Sequence, residues 1–133
     1  MYRGVMSAKT DGRLKCYYAH CVAIYGTPQE ERDMVTLRAL GLDVKNPNQP
    51  EIQKAYLDLP QEDRMQMFKN RVLECAVFAF RANPDGSIPS GVHKELKWAM
   101  EGNLLIIELP NGLLRRGLTY ELTKEFLHDC GER

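Results

Sequence analysis

Residues 76–80 read Ala-Val-Phe-Ala-Phe, a run of apolar side chains with no polar residue among them. A strand with one face in water would alternate apolar and polar residues, so this run indicates a strand that is covered on both faces. Strands of that kind occupy the middle of parallel sheets, because the crossover helices lie on both sides. The run therefore predicts an α/β protein whose other strands pair beside it.

Strand and helix patterns alternate on either side of residues 76–80. Thr27-Pro28-Gln29-Glu30 combines an N-cap, a first-turn proline and a capping-box glutamate, which is a strong helix start. The predicted strands are 14–20, 42–45, 76–80, 104–109 and a short one at 113–118, and the predicted helices are 27–41, 51–57, 61–74, 90–101 and 120–129. This alternation predicts a parallel sheet of four to five strands between helices. We expect residues 1–13 to form a flexible N-terminal arm and residues 14–133 to form a single domain.

Composition narrows the classes of function. The chain has 133 residues, 44% of them hydrophobic, which is enough for one ordinary globular core. Eighteen basic residues balance eighteen acidic ones, so nothing favours binding to a nucleic-acid polymer. No apolar run has the length of a membrane span or of a signal peptide, so we expect no membrane association. The four cysteines have no zinc or redox spacing, and we expect a cytoplasmic protein without a metal.

The loops that follow the strands contain the candidate binding and catalytic residues. In open parallel sheets, ligands bind at the carboxyl ends of the strands, which here are followed by residues 20–26, 46–50 and 81–90. His20 either donates to a sugar hydroxyl or phosphate, acts as a general acid, or packs at the strand end. Arg81 either binds a phosphate together with the backbone after Ser90, or is a solvated loop arginine. Tyr17, Tyr18 and Tyr25 either stack on a base or belong to the core.

Glu95 is the strongest catalytic candidate in the segment Ser90-Gly91-Val92-His93-Lys94-Glu95. Ser90 suits an N-cap, and Gly91 permits close approach to the backbone. Glu95 lies on the flank of the buried stripe of this helix, in its second turn, near the predicted ligand edge. The spacing indicates a carboxylate directed into a cleft. The alternative is a partly exposed glutamate that the helix dipole favours.

Several short motifs share their order and spacing with one enzyme family. They are Tyr17-Tyr18-Ala19-His20, Tyr25-Gly26, Glu30-Glu31-Arg32, Asn46-Pro47, Asp85-Gly86 and Ser90-Gly91-x-x-x-Glu95. In this order they resemble the nucleoside 2-deoxyribosyltransferase-like superfamily over residues 14–109. The resemblance implies a flavodoxin-like (Rossmann-like) fold. It also implies cleavage or exchange of the N-glycosidic bond of a deoxynucleoside or its monophosphate, in a homo-oligomer and without a cofactor.

The resemblance implies roles for individual residues. Glu95 corresponds to the family's nucleophile, which attacks the anomeric carbon and forms a glycosyl-enzyme ester. The segment from Tyr18 to His20 corresponds to a stretch that lines the substrate pocket. The predicted substrate-binding residues are Tyr18, Ala19, His20, Tyr25, Gly26, Asn46, Arg81, Asp85, Ser90 and Gly91.

Two positions differ from the family pattern and keep alternatives open. The family carries an aspartate just before Ser-Gly and another at the end of the third strand, where this chain has Ile88-Pro89 and Phe80-Arg81. Asp85 either reaches the pocket in their place or serves only its turn. The partner is therefore a small nucleoside or nucleotide that is either cleaved or, in a non-catalytic sensor module, only bound. A third alternative is a structural or interaction protein with a vestigial pocket.

Overall fold

The computed structural model describes residues 9–10, 12–110 and 112–113. The strands are β1 (Lys9–Thr10), β2 (Arg13–Ala19), β3 (Asp43–Lys45), β4 (Val77–Arg81), β5 (Leu105–Leu109) and β6 (Gly112–Leu113). The helices are α1 (Pro28–Ala39), α2 (Pro50–Asp58), α3 (Gln61–Leu73) and α4 (Ser90–Glu101), and a 3-10 turn spans Val22–Ile24. The predicted helix 120–129 and residues 114–118 of the last predicted strand lie outside the described residues.

Four parallel strands form the sheet in the order β3-β2-β4-β5, which confirms the predicted α/β flavodoxin-like class. Cys16 of β2 pairs with Val44 on one side and with Val77 on the other, and Val77 also pairs with Leu105. The two-residue strands β1 and β6 pair antiparallel with β2 and β5. Because β2 and β4 are neighbours although β3 lies between them in sequence, the chain reverses its direction of strand addition at this pair. Ligand clefts of such sheets open at that reversal.

The residues of β2 alternate between two cores, one on each face of the sheet. Tyr17 and Ala19 pack with residues of α3 and α4 such as Val72. Cys16 and Tyr18 pack on the opposite face, together with Met34 and Leu37 of α1. Residues 77–80 are all buried, which confirms the two-sided cover predicted from their apolar run.

The start of α1 agrees with the prediction from capping chemistry, and the start of α4 does not. Thr27 is the N-cap of α1 and its side chain accepts from the Glu30 amide, as predicted. Ser90 is not an N-cap: α4 begins at Ser90 itself, and Pro89 precedes it in extended geometry, with no side-chain capping bond. Within the predicted arm, Lys9 and Thr10 pair with the start of β2. The flexibility of the arm stays a prediction. No helix in the described ranges is long and apolar enough to cross a membrane.

Candidate functional site

A cavity of about 430 Å³ lies between α4, α2, α3 and the loop after β2, and we call it the Glu95 cavity. Its polar lining is His20, Gln53 and Glu95; its aromatic lining is Tyr25, Tyr56, Phe68 and Trp98; the rest is Val22, Pro47, Met65, Gly91 and Val92. Both its volume and its largely apolar wall with few polar groups are typical of small-molecule sites. Four of the predicted site residues, Glu95, His20, Tyr25 and Gly91, line it.

Helix α4 directs Glu95 to this cavity. Val92, Leu96 and Ala99 form the buried stripe of the helix and pack against the sheet. Glu95 lies on the flank of that stripe, because it comes three residues after Val92 and four before Ala99. Its side chain is half-buried, so the carboxylate meets both the protein and the cavity.

The hydroxyl of Tyr17 donates to Glu95 Oε2 at 2.5 Å. Tyr17 is 1% exposed, and burial together with the neighbouring Glu95 charge raises its pKa well above the ordinary value. The phenol therefore stays protonated at neutral pH, and it holds one carboxylate oxygen of Glu95 in place. A hydrogen bond to a charged acceptor of this kind is among the stronger ones in proteins.

His20 belongs to a polar network centred on Glu30. His20 Nε2 lies 2.8 Å from Glu30 Oε2, and its Nδ1 lies 3.2 Å from the Tyr18 carbonyl oxygen. Glu30 also accepts from the Gly26 amide at 2.9 Å and from Asn46 Nδ2 at 3.3 Å. Burial lowers the pKa of His20, against the opposing pull of Glu30. Both ring nitrogens thus face protein atoms, and the buried ring packs against the rings of Tyr18 and Tyr25.

The pKa of Glu30 is set by two opposing effects. Burial alone would raise it, but hydrogen bonds from the Gly26 amide, His20, Asn48 and Asn46 outweigh burial and lower it to about 2. Asn48 Nδ2 reaches both carboxylate oxygens, at 3.2 and 3.0 Å. The network joins the loop after β2 to the loop after β3. Gly26 and Asn46 therefore shape the site through Glu30 and do not line the Glu95 cavity.

Tyr18 lies on the other face of the sheet from Glu95. Its hydroxyl donates to Asp33 Oδ2 at 2.5 Å, and its ring stacks on His20 with 3.9 Å between centroids. Arg81 binds the same Asp33 through Nε to Oδ2 and through a terminal nitrogen to Oδ1, each at 2.7 Å. The structure thus brings Tyr18 and Arg81 together at Asp33, and neither lines the Glu95 cavity.

Arg81 lines a second cavity, of about 400 Å³, together with Cys21, Gln29 and Glu108. Asp85 belongs to the loop beside this second cavity. It accepts from the Ser87 amide at 2.9 Å and from the Ser87 hydroxyl at 2.6 Å, and these bonds lower its pKa. Asp85 therefore completes its own turn, which is the simpler of the two alternatives. Ala19 is fully buried in the core, and Ser90 is the half-buried first residue of α4.

Sequence reasoning missed several residues that build the Glu95 cavity. The contact of Tyr17 with α4 could have been inferred from the alternation of a strand. Successive residues point to opposite faces, so only one of two adjacent tyrosines can reach α4. Tyr56, Phe68 and Trp98 gave no usable signal, because apolar spacing on a helix is the same for core and for cavity lining.

Across residues 9–10, 12–110 and 112–113, no group of three metal-ligating side chains is brought together. The Glu95 cavity combines one carboxylate, held by Tyr17, with the side chains of four aromatic residues. Comparison with protein-family models, with curated proteins and with solved structures gave no match to this chain.

Proposed function

We propose that this protein cleaves or exchanges the N-glycosidic bond of a deoxynucleoside or deoxynucleoside monophosphate, with Glu95 as the nucleophile. The observation that carries the proposal is a half-buried carboxylate, held by a buried tyrosine hydroxyl, in a cavity at the carboxyl edge of a parallel sheet. The resemblance of the Ser90-Gly91-x-x-x-Glu95 segment to the deoxyribosyltransferase-like superfamily supports the same assignment.

The chemistry uses the two carboxylate oxygens differently. Tyr17 binds Oε2, and Oε1 attacks the anomeric carbon of the sugar. The carbon–nitrogen bond breaks, and the base leaves with the bonding electrons and takes a proton from water. The transition state resembles an oxocarbenium cation, which the adjacent carboxylate stabilises. Water, or a second base, then displaces Glu95 from the ester, which gives free sugar in hydrolysis or a new nucleoside in exchange.

Aromatic side chains supply the surface for a planar base. Tyr25, Tyr56, Phe68 and Trp98 all line the Glu95 cavity. Stacking of a base on an aromatic ring contributes roughly 1–3 kcal/mol and tolerates different bases. The volume of about 430 Å³ accepts a ligand of nucleoside size.

The test is base release by the full chain and by Glu95→Gln, which keeps the size of the side chain but removes its charge. The protein is incubated with deoxynucleosides, deoxynucleoside monophosphates and NAD, with and without a second free base, and products are separated by chromatography. Glu101→Gln is the matched control, because it is an exposed glutamate on the same helix. We expect release with the parent protein and with Glu101→Gln, and none with Glu95→Gln. Release that survives Glu95→Gln would refute the assignment.

A covalent intermediate gives an independent measurement. Acid quenching during turnover, followed by mass spectrometry of the peptides, should detect a deoxyribosyl group on the peptide that contains Glu95. A modified peptide elsewhere would transfer the nucleophile to another residue.

One observation favours a second candidate, a non-catalytic nucleotide sensor of the same fold. Among the described residues that line the Glu95 cavity, Glu95 is the sole carboxylate, so no second carboxyl group stands ready to protonate a leaving base. A sensor would bind a nucleoside or nucleotide with saturable heat in calorimetry and release no base over hours. Glu95→Gln would then change affinity alone.

The proposal includes the cellular environment and the oligomeric state of the protein. Cys16, Cys21 and Cys75 are free and buried, which supports a reducing, cytoplasmic environment. We propose a homo-oligomer on the resemblance alone, and light scattering coupled to size-exclusion chromatography tests it. A monomeric mass would contradict that part and leave the Glu95 assignment intact.

A further inference from the structure

A third cavity, of about 220 Å³, lies on the same side of the sheet as the Glu95 cavity, and we call it the Arg71 cavity. Arg71 and Glu74 at the end of α3, Lys15 of β2 and Lys45 of β3 contribute its charged lining. Tyr17 also lines it, and Pro47 lines both this cavity and the Glu95 cavity. The two cavities are therefore neighbours that Tyr17 separates.

The lining of the Arg71 cavity is positively charged. Three cations, Lys15, Lys45 and Arg71, meet one carboxylate, Glu74. Lys45 also lies 3.1 Å from Asp43, which neutralises part of its charge. The chain as a whole has a formal net charge of +0, so the excess in this cavity is local and not a consequence of composition. A concave site lined by one sign of charge concentrates ions of the opposite sign.

One guanidinium nitrogen of Arg71 lacks a hydrogen-bond partner within the part of the chain that the structure describes. Its Nε is buried and has no hydrogen-bond partner among the described residues. A guanidinium donor that is taken from water without an acceptor destabilises the fold, and such groups are uncommon in native proteins. An anion bound in the cavity would bring the opposite charge to the Arg71 side chain that lines it.

The size of the cavity limits the anion. A volume of about 220 Å³ is below the range of roughly 300–1,000 Å³ that holds drug-sized ligands, and it corresponds to about seven water molecules. It is too small for a nucleotide and sufficient for a tetrahedral oxyanion with part of its hydration. We propose that the Arg71 cavity binds a small free oxyanion of the phosphate class, held by Arg71, Lys15 and Lys45. This proposal does not depend on the reaction assigned to Glu95.

The test is isothermal titration of the full chain with inorganic phosphate at low ionic strength. Arg71→Gln and Lys15→Gln each remove one proposed contact, and Lys15 provides a second variant if Arg71→Gln fails to fold, which circular dichroism reports. Arg38→Gln is the control for charge alone, because Arg38 is an exposed arginine on α1, outside the three cavities.

We expect one saturable site whose affinity falls about tenfold or more in Arg71→Gln and in Lys15→Gln, because each loses a charge-assisted contact. Arg38→Gln should retain the parent affinity. Absence of saturable binding would overturn the proposal. An equal loss in Arg38→Gln would also overturn it, because diffuse charge would then explain the binding.

Discussion

Replacing Tyr17 by phenylalanine isolates the contact on which the proposed chemistry depends. The variant keeps the ring in the core and removes the hydroxyl that donates to Glu95 Oε2 at 2.5 Å. Hydrogen bonds to charged groups contribute about 1.5–3 kcal/mol, and we expect the lower end because water reaches the half-buried carboxylate. For a chain of 133 residues, about 1.5 kcal/mol lowers Tm by about 5 °C. We expect kcat/KM to fall about tenfold, because Glu95 without this donor no longer keeps one orientation for attack.

Tyr18→Phe is the matched control, because its hydroxyl makes a bond of the same length to Asp33 on the opposite face of the sheet. Both variants should lose stability in scanning calorimetry. Only Tyr17→Phe should weaken nucleoside binding or slow base release, because Tyr17 and not Tyr18 donates to Glu95. Equal binding and equal activity in the two variants would refute the reasoning that Tyr17 acts through Glu95.

Three further expectations concern other parts of the fold. The pKa of Glu30 falls from 4.5 to about 2 on folding, so its contribution to stability is complete above about pH 4.5 and is lost as the pH drops toward 2. In Glu30→Gln the midpoint of urea unfolding should depend less steeply on pH over that interval. The same pH dependence as in the parent protein would contradict the network. Arg81→Gln should lower the free energy of unfolding in urea by about 3 kcal/mol, because the buried Asp33 loses its cationic partner. A loss below about 1 kcal/mol would contradict this. Burial raises the pKa of Cys16 and of Cys75 to about 12, so iodoacetamide should label both only after denaturation, as measured by peptide mass spectrometry; rapid native labelling would contradict their burial.

The fold was predictable where its signals are local. The apolar run 76–80 identified the central strand, and Thr27 with Pro28 identified the start of α1, since each depends on neighbours within one turn or one strand. The boundaries of α3 and β5 agree with their predictions to within one residue. The pairing of β2 with β4 was beyond a sequence reading, because it joins segments about sixty residues apart through the packing of three helices.

Glu95 could be predicted as the nucleophile candidate, but most contacts of the residues around it could not. The position of Glu95 on the flank of an apolar stripe follows from helical spacing, and the structure places it in a cavity. Glu30 also showed a local signal, its place in a capping box, but its side chain bonds to Gly26, His20 and Asn48 instead of the cap residue. Those partners come from loops that the sheet brings together, so no spacing rule within α1 reveals them.

Tyr17 and Tyr18 show how the strand period divides chemistry between the faces of one sheet. Adjacent in sequence and both fully buried, they bind Glu95 on one side and Asp33 on the other, with equal bond lengths. The difference lies in what each carboxylate meets next: Asp33 receives Arg81 through two nitrogens, whereas Glu95 faces a cavity of about 430 Å³. The alternation of β2 therefore separates two carboxylates, one in an ion pair with Arg81 on one face of the sheet and one that lines a cavity on the other.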